Sequence, residues 1–260
     1  WMSPVSHLPP LNGNKLRVFT GFRFTIRAMS RGVNVKRVLI AVIAMSLMIS
    51  PSAFAEAKGK STKSAKVPAV KCKATKAVGH TPPSVAPADK LPKRLPRTFT
   101  FETNCGNIVV TTVGAKAPIT ITQLATLARG GYFNNTLCHR LTTQGLYVLQ
   151  CGDPTATGGG GPNFTYRDEN LPAEGLYNYP AGTVAMANSG PGANGAGTNG
   201  SQFFLVFADT TLGANYTIWG TITQGLDIVK AIAKAGVKGG GADGTPNQPI
   251  SIKRVTVLNN

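Results

Sequence analysis

Acidic residues are scarce in this chain, and so are the side chains that most often carry enzymatic chemistry. Of 260 residues, 10 are Asp or Glu, 3 are His and 4 are Cys. There is no Cys-x-x-Cys pair, and His139 is the only His beyond residue 80, so a zinc centre lacks ligands. No Gly-x-Ser-x-Gly elbow occurs, and the glycines at 158–161 are not followed by the Gly-Lys-Ser/Thr of a phosphate loop. His139 directly precedes Arg140 in a strand-like run, which puts the two side chains on opposite faces. Metal hydrolysis, Ser-His hydrolysis and nucleotide chemistry therefore lack their reagents, and neither a metal nor a cofactor is implied. What is left is binding, or a reaction that needs no proton transfer and no covalent intermediate.

Glycine (30) and proline (18) are plentiful, which favours a loop-rich, β-dominated fold over a helical bundle. The net charge of +17 is concentrated at one end: residues 1–96 hold 17 Lys/Arg against 2 Asp/Glu, and residues 97–260 hold 10 against 8. A folded nucleic-acid reader carries its charge on the domain surface. A near-neutral domain behind a basic tail predicts no specific nucleic-acid partner.

The composition divides the chain into three. Residues 1–55 form an N-terminal extension and signal peptide. Within it, KRVLIAVIAMSLMISPSAFA at 36–55 has a basic start, an apolar stretch at 38–49 and a small-x-small site at Ala53-Phe54-Ala55. The apolar stretch is shorter than the roughly 20 residues a transmembrane helix needs. The protein is thus expected to be exported, either secreted or associated with the cell envelope, with an uncleaved signal anchor as the alternative. Residues 1–28 carry no usable pattern, and Met29 is one candidate start. Residues 56–96 are rich in Lys, Ala and Pro, with 10 Lys/Arg against 2 acidic residues. So little apolar surface cannot offset ordering entropy, so a disordered linker is predicted, with weak electrostatic contact to an anionic envelope as its candidate partner. Residues 97–260 form the functional domain.

An even number of cysteines in an exported chain makes disulfides reasonable, and Cys72, Cys105, Cys138 and Cys151 allow three pairings. Parity disfavours a 138–151 bridge. If Arg140 and Gln150 share one face of a hairpin, Cys138 joins that face and Cys151 points to the other.

Residues 97–103 (RTFTFET) and 108–113 alternate like strands around a turn at Cys105-Gly106-Asn107. Pro118 suits the first position of a helix that ends at Gly130-Gly131. Strands are expected at 137–141, 146–150, 183–187, 202–207, 217–222 and 250–258, with a second helix over 225–235. Many short strands with two helices predict a mainly β fold, a closed antiparallel barrel capped by helices.

Within that domain, Cys138-His139-Arg140-Leu141 and Tyr147-Val148-Leu149-Gln150-Cys151-Gly152-Asp153 form one block. Asp168-Glu169-Asn170, Met186-Ala187-Asn188-Ser189-Gly190-Pro191 and Asn199-Gly200-Ser201-Gln202-Phe203-Phe204 form three more. These four ordered blocks resemble the cyclophilin family. The resemblance implies an eight-stranded antiparallel β-barrel with two helices and peptidyl-prolyl cis-trans isomerase activity on proline-containing polypeptides, in a monomer. It also implies catalytic roles for Arg140, Gln150 and Asn188. Tyr147, Val148, Phe204, Leu212 and Tyr216 would form the proline pocket, and Gly158, Ala187 and Gln202 the adjoining groove.

The chemistry agrees with that list. X-Pro isomerisation is slow because amide resonance imposes a barrier of about 18–20 kcal/mol. A fixed donor at the prolyl nitrogen weakens the resonance with no covalent step, and a guanidinium is a permanently charged, rigid donor. The chain departs from the family pattern at Tyr147 (usually Phe) and Val148 (usually Met). The 190–199 loop is also longer, Thr211 falls where many members carry a cyclosporin-contacting Trp, and Tyr216 where many carry His. Two other readings remain open: a proline-peptide binding or chaperone module with little turnover, and a structural envelope protein acting through its basic segment.

Overall fold

The computed structural model describes residues 69–259. The signal segment 36–55 and the first part of the basic linker, 56–68, lie outside these residues. Among the described residues no helix is long and apolar enough to cross a membrane.

Ten strands form one antiparallel sheet. In chain order the elements are β1 (Thr98–Thr103), β2 (Gly106–Thr112), α1 (Pro118–Arg129), β3 (Thr136–Leu137), β4 (Arg140–Gln144), β5 (Leu146–Cys151), β6 (Thr183–Met186), β7 (Phe203–Val206), β8 (Ile218–Gln224), α2 (Leu226–Ala235), β9 (Asp243–Gly244) and β10 (Ser251–Leu258). The sheet order is β3-β10-β1-β2-β8-β6-β7-β5-β4-β9. Eight strands of four or more residues make up the expected barrel-like sheet, and the two-residue strands β3 and β9 are added at its edges. The chain passes from β3 to β4 through Cys138 and His139 alone, which draws the two edges together.

The elements follow from local chemistry. On β1, Phe99, Phe101 and Thr103 point inward and the intervening residues outward. Phe99 meets Trp219 edge-on at 5.2 Å, and Phe203 meets Phe101 at 5.1 Å and Trp219 at 5.9 Å. These rings centre the barrel core. Helix α1 begins at Pro118, with its missing N–H in the first turn where no partner is needed. No side chain adjacent in sequence caps it. Instead Glu169 accepts the free N–H groups of Ile119 (3.1 Å) and Thr120 (2.8 Å) from 50 residues away, a carboxylate at the positive end of the helix dipole.

Two expectations are corrected. The first is the disordered linker. Residues 69–96 lie along the domain as an irregular strap, held by a disulfide, by hydrogen bonds from domain groups to its backbone, and by Val70, Cys72 and Val85 packed against the core. A disulfide joins Cys72 to Cys105. Asn104 donates to the Lys73 carbonyl (2.7 Å) and accepts from Ser251 N (2.8 Å). His80 N donates to the Pro154 carbonyl at 2.9 Å. The Gln123 side chain accepts from Ala88 N (2.9 Å) and donates to Ala88 O (3.1 Å), an imitation of strand pairing. Composition counted the apolar groups of the segment but not the polar partners waiting on the domain.

The second correction concerns the cysteines: Cys138 is bonded to Cys151. Arg140 does face Gln150, as supposed. The strand is interrupted at residues 138–139, however, where Cys138 N turns to Ile250 O (3.0 Å) and His139 N to Gln150 O (3.1 Å). Alternation cannot be carried across a break, and the parity argument assumed that it could.

Replacing Cys72 and Cys105 together by Ala is expected to lower the unfolding free energy by about 3–4 kcal/mol, the loop-closure value for a span of this size. Chemical denaturation reads the loss. Limited proteolysis should then cut within residues 69–96 while the domain from 97 onward stays intact.

Candidate active site

The site is built on the outer face of strands whose inner face is core. In the β4–β5 hairpin, Arg140 pairs with Gln150, Thr142 with Val148 and Gln144 with Leu146. Gly145 alone makes the turn, at φ 69°, a left-handed conformation that favours glycine. Leu146, Val148 and Gln150 therefore share one face. On β7, Phe204 pairs with Gln150 and points to the same side, while its neighbour Phe203 fills the barrel core.

Together Arg140, Leu146, Val148, Gln150, Ala187, Asn188, Phe204, Leu212 and Tyr216 line a cavity of about 150 Å³. Phe204 and Tyr216 meet edge-on at 5.6 Å. Behind them stands Tyr179, fully buried, whose hydroxyl donates to Tyr216 O and accepts from Tyr216 N, both at 3.1 Å. Burial pushes the Tyr179 hydroxyl up to about 12, so it stays a neutral hydrogen-bonding group. The Asn178 side chain clamps Leu212 by bonding its carbonyl (2.6 Å) and its N–H (3.0 Å).

A second hollow of about 360 Å³ adjoins the first, with Gln150, Ala187 and Asn188 on the shared wall. Gly158 and Gln202 belong to this one. The loop that forms its far side is wound around Asp153, which is fully buried. The carboxylate accepts the N–H groups of Thr155, Thr157, Gly158 and Gly160 and the hydroxyl of Thr155. Burial alone would raise this carboxyl, but these bonds outweigh it and hold it below the usual range.

Hydrogen-bond direction is determined along the groove. Gln202 donates through Nε2 to the carbonyls of Gly158 (2.9 Å) and Gly160 (2.8 Å). Its Oε1 is thereby turned to Gln150, whose Nε2 donates to it at 2.8 Å. Gln150 Oε1 is left facing Arg140 and accepts from Nη1 at 3.2 Å. The loop carbonyls thus dictate the orientation of both glutamines, and through them one side of the guanidinium. Asp243 holds the other side, accepting from Arg140 Nε and Nη2, both at 2.7 Å. This bond makes the guanidinium more basic, against a smaller opposing effect of burial.

Asn188 is placed by its side chain, which donates to Asp168 Oδ1 (3.2 Å) and Asn215 O (2.8 Å). Asp168 Oδ1 also receives Asn199 Nδ2 (2.8 Å) and Thr217 Oγ1 (3.3 Å). The Asp168-Glu169-Asn170 block is therefore scaffolding: it ties two site loops together, caps α1 and, through Asn170 Nδ2, holds the Ile218 carbonyl at 2.7 Å. The longer loop at 190–199 is pinned at its neck, where Thr198 Oγ1 accepts from Ser189 N (2.8 Å) and donates to Gly190 O (2.6 Å).

One residue expected in the proline pocket is elsewhere. Tyr147 points from the opposite face of β5 and packs edge-on to Phe207 at 5.9 Å. Leu146 takes its place, and hairpin parity with Val148 and Gln150 could have found it. Tyr179 and Asp243 were also missed, since neither lies in a motif or an evident strand. His139 faces away from Arg140 into a different hollow with Leu137, Cys138 and Pro249. Its ring nitrogens are buried without a hydrogen-bond partner among the described residues, and burial lowers its pKa, favouring the neutral ring.

A rolled antiparallel sheet with two helices, carrying a small surface cavity edged by an oriented arginine, defines a mainly β class of domain with a groove on the outer face of its strands. The chain belongs to the cyclophilin-type peptidyl-prolyl cis-trans isomerase family, whose profile, described as Cyclophilin type peptidyl-prolyl cis-trans isomerase/CLD, matches residues 98–257. It is 42% identical over 196 residues to the probable peptidyl-prolyl cis-trans isomerase B of Mycobacterium tuberculosis, covering 67% of this chain and 62% of that protein. It is 46% identical over 162 residues to the protein of the same name from Mycobacterium leprae, covering 58% and 53%. The chain thus spans less than two-thirds of the length of these relatives. Among solved structures, a Cryptosporidium parvum cyclophilin type peptidyl-prolyl cis-trans isomerase aligns with TM-score 0.54 at 27% identity, over 63% of this chain and 98% of that one. The same protein in the presence of the dipeptide Ala-Pro aligns with TM-score 0.53.

Asp153→Ala removes an acceptor serving four loop N–H groups and is expected to cost roughly 2–4 kcal/mol in chemical denaturation. In the wild type the depressed carboxyl stabilises fully above the ordinary carboxylate pKa of about 3.9. That stability is lost as pH falls through the lower folded value. A denaturation series from pH 7 to pH 2 should show the wild type losing this increment at the acid end, and the variant losing none of it.

Proposed function

We propose that this protein catalyses cis-trans isomerisation of X-Pro bonds in exported polypeptides. The observation that carries the reading is an Arg140 guanidinium held on two sides at the rim of a small cavity of mixed lining. Drug-sized sites run from about 300 to 1,000 Å³. A cavity of about 150 Å³ suits one small ring instead, and Val148, Phe204, Leu212 and Tyr216 offer it apolar walls. The Cryptosporidium structure determined with Ala-Pro supports a proline dipeptide as the ligand class.

Isomerisation asks little of the protein beyond this. In the planar ground state the prolyl nitrogen shares its lone pair with the carbonyl. As the bond twists, the lone pair localises on nitrogen and becomes an acceptor. A guanidinium N–H placed there is bonded more strongly in the twisted state than in the planar one, which is the condition for catalysis. Gln150 keeps the donor in place, and Asn188 and Gln202 present the groove in which the substrate backbone lies. No proton moves and no bond is broken.

Export is supported by the apolar stretch at 38–49 and by two disulfides, which suit an oxidising compartment. The domain acts as a monomer. The basic segment 56–96 gives it weak electrostatic contact with anionic envelope polymers, strongest at low salt.

The test is protease-coupled or NMR-detected isomerisation of an Ala-Ala-Pro-Phe peptide. Wild type should accelerate the reaction strongly. Arg140→Ala, still folded, should lose on the order of 10²–10³ in kcat/KM, the usual cost of one transition-state donor. A folded wild type no faster than buffer would replace this reading by that of a proline-binding module.

A further inference from the structure

Asp243 lies outside every block through which the chain resembles its family, yet it makes the shortest bonds that Arg140 has. It is carried by a glycine-rich excursion over residues 237–246. A bridge between Val237 and Pro246 and a bond from Lys238 N to Thr245 O (2.8 Å) close the neck of this loop. Gly239 and Gly240, at φ 79° and 76°, turn the chain back, and β9 then lays Asp243 beside β4 in register with Thr142. Thr143 N fixes the approach by donating to Ala242 O at 2.8 Å. The loop thus delivers one carboxylate, at a set height, to the side of the arginine.

The geometry is side-on and bidentate: Nε to Oδ1 and Nη2 to Oδ2, each 2.7 Å. Two parallel bonds define the guanidinium plane, which a single bond cannot do. Gln150 adds a third bond to Nη1. Three of the five guanidinium N–H donors are then engaged among the described residues, and two are left at the cavity rim. The pair is 40% and 55% exposed at its two side chains. Exposed ion pairs contribute little to stability, so a purely stabilising role gives no reason for a loop shaped to deliver this one.

We propose that Asp243 is a positioning residue for isomerisation, which holds the Arg140 plane so that its two remaining N–H donors face the prolyl amide. The inference rests on the reading of Arg140 as the transition-state donor. Asp243 touches no substrate atom and acts only through the arginine. Small misplacements of a catalytic group are costly, so loss of the clamp should appear in turnover more than in binding.

The experiment compares wild type, Asp243→Ala, Asp243→Glu and Arg140→Ala in full kcat and KM measurements on the same proline peptide. The Arg140 Nε–H resonance is followed by nitrogen-edited NMR, and chemical denaturation monitors stability. Asp243→Ala should lower kcat by roughly tenfold with KM within twofold. It should broaden or shift the Arg140 Nε–H signal and leave the denaturation midpoint nearly unchanged. Asp243→Glu keeps a bidentate carboxylate and should recover part of kcat. If Asp243→Ala keeps kcat within twofold while Arg140→Ala loses activity, the positioning role is overturned and the reading of Arg140 stands. If Arg140→Ala is as active as wild type, both fall together.

Discussion

Strands buried on both faces are the constraint on which this molecule depends. Successive residues of a strand point to opposite sides, so each of β5, β6 and β7 must satisfy two apolar environments at once. Leu149, Val184, Phe203 and Leu205 serve the barrel core, while Val148, Ala185, Phe204 and Val206 serve a second cluster outside it. Core and site are thus two sides of one sheet, offset by a single residue. A slip of β7 by one residue that moved Gln202 into the core position of Phe203 would bury its amide among apolar rings and empty its place in the groove. The packing that fixes the barrel therefore also places the strand-borne wall of the cavity, Val148, Gln150 and Phe204, while Asn178 and Tyr179 hold its loop-borne wall, Leu212 and Tyr216.

Polar order is imposed on that apolar floor from its margins. A side-chain amide can face either way, and in isolation Gln150 and Gln202 have no preferred orientation. The carbonyls of Gly158 and Gly160 remove the choice for Gln202, which removes it for Gln150, which presents an oxygen to Arg140. Behind those carbonyls lies the buried Asp153 carboxylate, which gathers the loop N–H groups. His80 of the strap bonds the Pro154 carbonyl at the start of this loop, and a Cβ on Gly79 would collide with the Thr155 carbonyl. The strap and the groove wall are consequently packed as one layer, and residues 69–96 are part of the domain.

The sequence was most legible where chemistry is local. Pro118 and Gly131 bound a helix because one lacks an N–H and the other, free of a Cβ, takes the left-handed φ of 75° just past the helix end. The alternation of RTFTFET is a strand because only a strand sends every second residue inward. Arg140, Val148, Gln150, Ala187, Asn188 and Phe204, which lie in ordered motifs, and Leu212 and Tyr216, which the family resemblance adds, do converge on one cavity. Legibility ended where distant groups intervene. The strap looked disordered because its partners, Gln123 and Asn104, are not in the strap. The Cys138–Cys151 bridge looked unfavourable because the break at residues 138–139 depends on Ile250. Tyr147 was assigned by alignment of motifs, although the hairpin's own parity favours Leu146.

By itself, then, the amino-acid sequence determined the class of fold, the location of the domain and the identity of most groups around the pocket, since these are written in composition, short periods and motifs. Only tertiary structure decided which cysteines pair, that residues 69–96 are ordered, and that Asp243 grips Arg140 across a separation of 103 residues. The physical reason is common to all three. Each depends on polar or sulfur atoms from remote segments arriving within bonding distance, and such meetings follow from the path of the whole chain, which no local pattern encodes.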